Sequence, residues 1–325
     1  MYFYTAVMIE AHKLSKYFGE RPAIHDLTFS IASGEVIGLL GLNGAGKTTT
    51  LRVLACLLLP TSGTIRVDGL DVTHDPYAIR RKIGFLPDVP PLYPEMTVGA
   101  FLTFAARLRK VPSRDVSARV TEAEEKTALR DVHEEVIGEL SHGYRQRVGL
   151  AQAIVHKPAL LILDEPSAGL DPAQTVEMRS LLRGLKGDHT VLISSHFLTE
   201  ISQTCDRLLV LHGGELVGQG SEAELATAMG GGGIIIEAEV RGQPADLEAR
   251  LTALPSVSKA SLQEKPGGMT TLTLAASADV RPELARLLVS AGCDLLRLER
   301  AATRLEGIFM SLTGVTGGEE KGGGQ

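Results

Sequence analysis

The chain has no tryptophan, aromatic residues make up 4% of it, and only three cysteines occur in its 325 residues. Cys56, Cys205 and Cys293 lie far apart in apolar surroundings, without the spacing of a zinc site or a redox pair, which excludes a disulfide scaffold and points to a reduced, cytosolic setting. Positive charge is not in excess: 33 Lys and Arg face 39 Asp and Glu, a net charge of −6, so electrostatics provides no reason to expect nucleic acid as a partner. No apolar run reaches the ~20 residues that cross a bilayer. The apolar start, Met1 to Ile9, lacks a basic beginning and a cleavage-like end, which argues against a secretory signal; Met8 is a candidate start, because patterned sequence begins at Ile9. A chain of this length accommodates two domains.

Against that ordinary background, glycine is placed with purpose. Val36–Leu40 reads as a buried strand and the stretch from Lys47 to Leu59 as a helix, with Leu51, Leu54 and Leu58 on one face. Between them runs Gly41-Leu42-Asn43-Gly44-Ala45-Gly46-Lys47-Thr48-Thr49, which fits the phosphate-binding pattern GxxxxGK[ST]. Glycines let the backbone curl its N–H groups toward phosphate oxygens, and the helix that follows turns its positive end to the same anion. Lys47 is expected at the β- and γ-phosphates, and the Thr48 hydroxyl on a magnesium ion.

Two further strand ends carry polar groups. Leu160–Leu163 is entirely apolar and runs into Asp164-Glu165; carboxylates there suit magnesium coordination (Asp164) and polarisation of an attacking water (Glu165). Val191–Ser195 ends at His196, where an imidazole can donate one hydrogen bond to a terminal phosphate and accept another. Ser141 is a good N-cap for a helix carrying Val148, Ala151, Gln152 and Val155 on one face, and the free N–H groups at its start form a second anion site.

Leu140-Ser141-His142-Gly143-Tyr144-Arg145-Gln146-Arg147 resembles the LSGGQ signature of the ATP-binding subunits of ABC transporters, with His142 in place of the first glycine and Tyr144 in place of the glutamine. The resemblance runs from residue 9 to about 228 and implies an α/β fold, a P-loop ATPase of the ABC type with a helical subdomain at about 89–155. It also implies a head-to-tail dimer in which each ATP lies between one subunit's phosphate loop and the other's Ser141, His142, Gly143 and Tyr144. Asp171, in Ser167-Ala168-Gly169-Leu170-Asp171, is then expected at the subunit interface. Leu14-Ser15-Lys16-Tyr17-Phe18-Gly19 is similar to the stretch whose aromatic stacks on adenine; Phe18 and Tyr17 are both candidates. Asp88, in Ile83–Asp88, stands where the family usually has a magnesium-bridging glutamine, and an aspartate keeps an oxygen ligand while adding negative charge.

The family resemblance further implies ATP and Mg2+ as cofactors, hydrolysis to ADP and phosphate, and separate integral-membrane permease subunits as partners on the inner face of the cell membrane. The full set of motifs permits the second ABC ATPase subunit to be an identical copy, the expected arrangement, and leaves a heterodimer open. Val89–Pro94 reads as a proline-stiffened connection, followed by helices over 97–109 and 113–129. After Gly230–Gly233, a linker placed at 229–233, strands and helices alternate as β-α-β-β-α-β over 234–313, consistent with a small ferredoxin-like accessory α+β domain. That ending resembles ATPases that serve exporters of drugs, polysaccharides or gliding-motility components. A last helix is expected at 303–312, and the tail 314–325 is expected to be disordered. An alternative is a soluble ABC-type ATPase acting on ribosomes or nucleic acid, although translation factors of that kind usually hold two cassettes and DNA-repair relatives carry long coiled coils. A GTPase is a poorer fit, because no NKxD segment is present.

Overall fold

The computed structural model describes residues 6–197, 201, 203–228, 234–242, 247–265 and 269–300. The expected linker at 229–233, the helix at 303–312 and the tail at 314–325 lie outside them. The chain divides into two compact units, Met1–Ser221 and Glu222–Gln325. The division falls before the 228 boundary expected above, so the helix Glu222–Ala228 goes with the second unit.

The first unit holds two sheets. Strands β1 (Val7–Phe18), β2 (Arg21–Ala32), β4 (Ser62–Val67) and β5 (Leu70–Asp71) form an antiparallel sheet in the order β2-β1-β4-β5. The larger sheet is built from β3 (Val36–Leu40), β6 (Ile83–Leu86), β7 (Leu160–Asp164), β8 (Thr190–Ser195), β9 (Arg207–His212) and β10 (Glu215–Gly220). Its order is β10-β9-β3-β8-β7-β6, parallel except for the β10 edge. Its central strands β3, β7 and β8 are buried along their whole length and mostly apolar, because both faces are covered. Alternate residues serve different cores: Ile37, Leu39, Leu160 and Ile162 pack with β1, β2 and α1 (Lys47–Leu54), whereas Val36, Leu161, Leu163, Val191 and Ile193 pack with helices. Those helices are α3 (Val98–Leu108), α4 (Val116–Thr127), α5 (His142–Ile154) and α6 (Pro172–Gly184); α2 (Pro76–Lys82) precedes β6.

Helix α1 stops at Leu54, short of the expected Leu59. Cys56 adopts a left-handed φ of 55°, the N–H groups of Leu57 and Leu58 both turn back to the Arg52 carbonyl, and Pro60 disfavours helix in the residue before it. Leu57 and Leu59 are exposed as a result. The stretch 89–94 is neither strand nor helix, and Thr97 caps α3 by accepting from the Ala100 N–H at 3.3 Å. In the second unit, after α7 (Glu222–Ala228), come β11 (Ile234–Arg241), α8 (Leu247–Thr252), β12 (Val257–Lys265), β13 (Met269–Ala276), α9 (Arg281–Ser290) and β14 (Asp294–Arg300). They form an antiparallel sheet ordered β12-β13-β11-β14. Taking its strands in chain order as one to four, the arrangement is 4-1-3-2, that of two split β-α-β units, and it encloses a core that includes Ile236, Leu251, Leu272 and Leu284.

Candidate active site

The loop after β3 carries residues 41–46 into α1. Gly44 and Gly46 have φ of 83° and 98°, a region that side chains rarely occupy. At Gly46 a side chain is excluded twice over, because a Cβ would lie 2.6 Å from the Ala23 carbonyl oxygen. The close approach brings the start of β2 against the loop. Lys47 is 6% exposed; its ammonium donates to the Gly41 carbonyl at 2.7 Å and lies 3.4 Å from a Glu165 carboxylate oxygen. The amide groups at the start of α1 face outward beside it, as a site for anions requires.

Strand β8 lies between β3 and β7, so residues distant in sequence meet at neighbouring carboxyl ends. Asp164, 2% exposed, accepts from the Ser194 hydroxyl at 2.6 Å and lies 3.4 Å from Thr48 Oγ1. Burial pushes its carboxyl up from the usual range, the bonds from Ser194 and Thr48 pull it down, and the charges of Glu165 and Asp88 raise it again; the net direction is upward. Glu165 is a non-glycine residue at φ 49°, a conformation that costs about 1 kcal/mol or more. It is pinned there because its N–H faces Ser194 twice, Oγ at 3.0 Å and the carbonyl at 3.2 Å. Its Oε2 is 2.8 Å from His196 Nδ1. Ser194 therefore holds the Asp164 carboxylate and the backbone of Glu165. It had received no role from the sequence, where its only signal was a hydroxyl interrupting an apolar strand.

A cavity of about 560 Å3 opens over these strand ends, a volume suited to a nucleotide-sized ligand. Leu42, Asn43, Gly44, Gly46, Lys47, Thr48, Thr49, Asp88, Glu165 and His196 line it, as does Phe18. Gly41, Ala45 and Asp164 sit behind that wall. Tyr17 is absent from the lining: adjacent strand residues face opposite ways, and its ring meets His25 edge-on at 6.4 Å. Between the two aromatic candidates, the geometry thus favours Phe18, which is 55% exposed with the Lys16 ammonium 5.4 Å from its ring centre. Sequence reasoning passed over Arg21, Pro22, Ala23 and Ala168, which also line the cavity. The first three come from the far side of the β1–β2 hairpin and carry no motif of their own.

The donor set can accept a hard cation. Thr48 offers a hydroxyl and Asp164 a carboxylate, and the described residues contain no cluster of three or more metal-binding side chains. A cation held there would take its remaining ligands from phosphate oxygens and water, as magnesium does.

Ser141, His142, Gly143 and Tyr144 lie outside this cavity. Ser141 caps α5 by accepting from the Tyr144 N–H at 3.4 Å, and both Ser141 and His142 are exposed. Gly143 is buried against Gln174, and the Tyr144 ring lies 5.1 Å from the Arg147 guanidinium carbon. Of the face expected on α5, Val148, Ala151 and Val155 are buried and Gln152 only partly so, while Gln146, Gly149, Leu150, Ala153 and Ile154 are buried in addition. Asp171 caps α6, accepting from the Gln174 N–H at 2.8 Å.

A phosphate loop after a central strand of a mostly parallel sheet, with a histidine and then carboxylates on the ends of the next two strands, defines a P-loop nucleotide hydrolase. A family model described as ABC transporter matches residues 24–168. The uncharacterized ABC transporter ATP-binding protein YxlF of Bacillus subtilis (strain 168) is 41% identical over 218 residues, 67% of this chain and 72% of that protein. The daunorubicin resistance ATP-binding protein DrrA3 of Streptomyces coeruleorubidus is 34% identical over 319 residues, 95% of this chain and 96% of its relative. Among solved structures, the dimeric structure of MJ0796, a bacterial ABC transporter cassette, matches with a TM-score of 0.60 at 25% identity, covering 66% of this chain and 98% of that one. The chain belongs to the ABC transporter family, as an ATP-binding subunit with ATPase activity.

Proposed function

We propose that this ATPase powers a separate integral-membrane permease, working in export from the cytoplasmic face of the membrane as a dimer of identical chains. What carries the reading is the division of its polar residues. Lys47, Thr48, Glu165 and His196 line one cavity, with Asp164 beside Thr48 behind it, whereas Ser141, an exposed helix cap, is not part of that lining. A second copy packed head to tail would complete each site with Ser141 and the α5 N-terminus, which suit an anion. The likeness to DrrA3 over nearly the full chain supports export. Among the described residues no helix is long and apolar enough to cross a membrane, which accords with a permease on another chain.

In this reading Phe18 stacks on the adenine, and the amides of residues 41–49 with Lys47 bind the phosphates. Thr48, Asp164 and Asp88 would hold a magnesium ion, which supplies charge neutralisation at the phosphate oxygens when bound. Glu165 accepts a proton from the attacking water, its backbone N–H held by Ser194 Oγ and its carboxylate flanked by Lys47 and His196. His196 gives its Nδ1–H to the Glu165 carboxylate, and with both ring nitrogens protonated its Nε2–H donates to the terminal phosphate. Asp171 lies at the dimer interface. ATP favours the closed dimer by binding it more tightly than the open one, and hydrolysis removes that preference.

Two measurements test the proposal. Glu165→Gln is expected to slow hydrolysis by a factor of about 100 or more while an ATP-dependent dimer accumulates in light scattering; a monomer at saturating ATP and magnesium would count against it. Purification from native membranes with peptide identification is expected to recover a multi-span permease. Ribosomal proteins or nucleic acid in its place would overturn the assignment.

A further inference from the structure

His142, the residue that departs from the glycine of the signature, makes a contact that glycine has no side chain to make. Its Nε2 lies 3.0 Å from the carbonyl oxygen of Ala168. A carbonyl only accepts, so the ring must carry its hydrogen on Nε2. The same ring lies over Gly169, where an added Cβ would come within 3.1 Å of Nε2. Ala168 is part of the cavity wall, and its N–H donates to the carbonyl of Glu165 at 2.9 Å.

Four residues further along α5, Gln146 is 1% exposed and donates from Nε2 to the Asp88 carbonyl at 3.2 Å. Asp88 lines the same cavity. Helix α5 is thereby tied at two points to residues around the ATP site of its own protomer, while Ser141 at its tip is exposed and outside the cavity lining.

We propose that His142 is a positioning residue that couples the two ATP sites of the dimer. Through its bond to Ala168, the loop beside Glu165 determines where the Ser141 end of α5 is held. Occupancy of one cavity thus biases the surface offered to the other. The proposal rests on the reading that Ser141 serves the partner's ATP. Coupling of this kind requires that the bond to Ala168 be made to different extents with the cavity occupied and empty.

The test is steady-state hydrolysis by the full chain as a function of ATP concentration. The proteins compared are the wild type, His142→Phe, His142→Gln and Ser141→Arg. His142→Phe keeps a ring but removes the donor. It is expected to bring the Hill coefficient from about 2 toward 1 and kcat down about fivefold, with the half-saturating ATP concentration moving less than about twofold. His142→Gln, which retains an N–H donor, is expected to recover most of the cooperativity. A wild-type coefficient of 1, an unchanged coefficient in His142→Phe, or equal losses in the phenylalanine and glutamine variants would each overturn the proposal. Ser141→Arg separates the two readings. If it blocks turnover while His142→Phe is silent, only the tether falls; if turnover survives, the composite site itself falls.

Discussion

Asp164 combines near-complete burial with a carboxylate that must be charged to bind a cation. Its folded carboxyl lies above its ordinary value of 3.8, chiefly through burial. Its contribution to folding is therefore fully present below about 3.8 and is lost as pH rises through the raised folded value, so the ionised form is a burden at neutral pH. Asp164→Asn keeps an acceptor for Ser194 and removes that burden. The variant is expected to melt above the wild type at pH 7 without nucleotide or metal, with the gap narrowing toward pH 4, and to lose magnesium-dependent hydrolysis. Calorimetry across that range measures the difference, and a lower melting temperature for the asparagine variant at pH 7 would refute the account. Lys47 presents the complementary case of a buried cation held by the Gly41 carbonyl and by Glu165. Lys47→Ala removes a charge-assisted contact to phosphate and is expected to weaken ATP binding by about tenfold or more in a filter assay.

Among the elements, β6 and α5 are packed backbone against backbone. Gly84 in β6 packs directly under α5: a Cβ there would stand 2.1 Å from the Ala153 carbonyl oxygen. Backbone cannot move aside as a side-chain tip can. Gly84→Ala is thus expected to cost roughly 1–3 kcal/mol of stability, read as a lower denaturant midpoint. It should also disturb turnover, because β6 leads to Asp88 and α5 begins at Ser141. An unchanged midpoint would show that α5 is free to shift. The strands β3, β7 and β8 and the cap at Ser141 were legible in the sequence, since a doubly buried strand and an N-cap are local patterns. The early stop of α1 was not, because the leucines at 51, 54 and 58 keep helical spacing past the residue where Cys56 turns left-handed. Nor was the pairing of Tyr17 and Phe18 with opposite faces, which depends on where β1 stands relative to the phosphate loop.

At the scale of the whole molecule, each unit has its own core, and the cavity is lined entirely by residues of the first. Calorimetry is expected to resolve two transitions. ATP with magnesium at a hundred times Kd should stabilise only the first-unit transition, by about 2.7 kcal/mol; an equal shift of both would mean that the units unfold together. The residue types that handle phosphate, cation and water were already decided by short runs of sequence, because a loop of glycines before a helix, or a carboxylate after an apolar strand, is a local arrangement. Which of those residues touch was not decided there. The sheet order sets β8 between β3 and β7, and this alone brings Ser194 to Asp164 and His196 to Glu165. Contacts across 29 or more positions arise from strand pairing, and no local pattern carries the order in which strands pair.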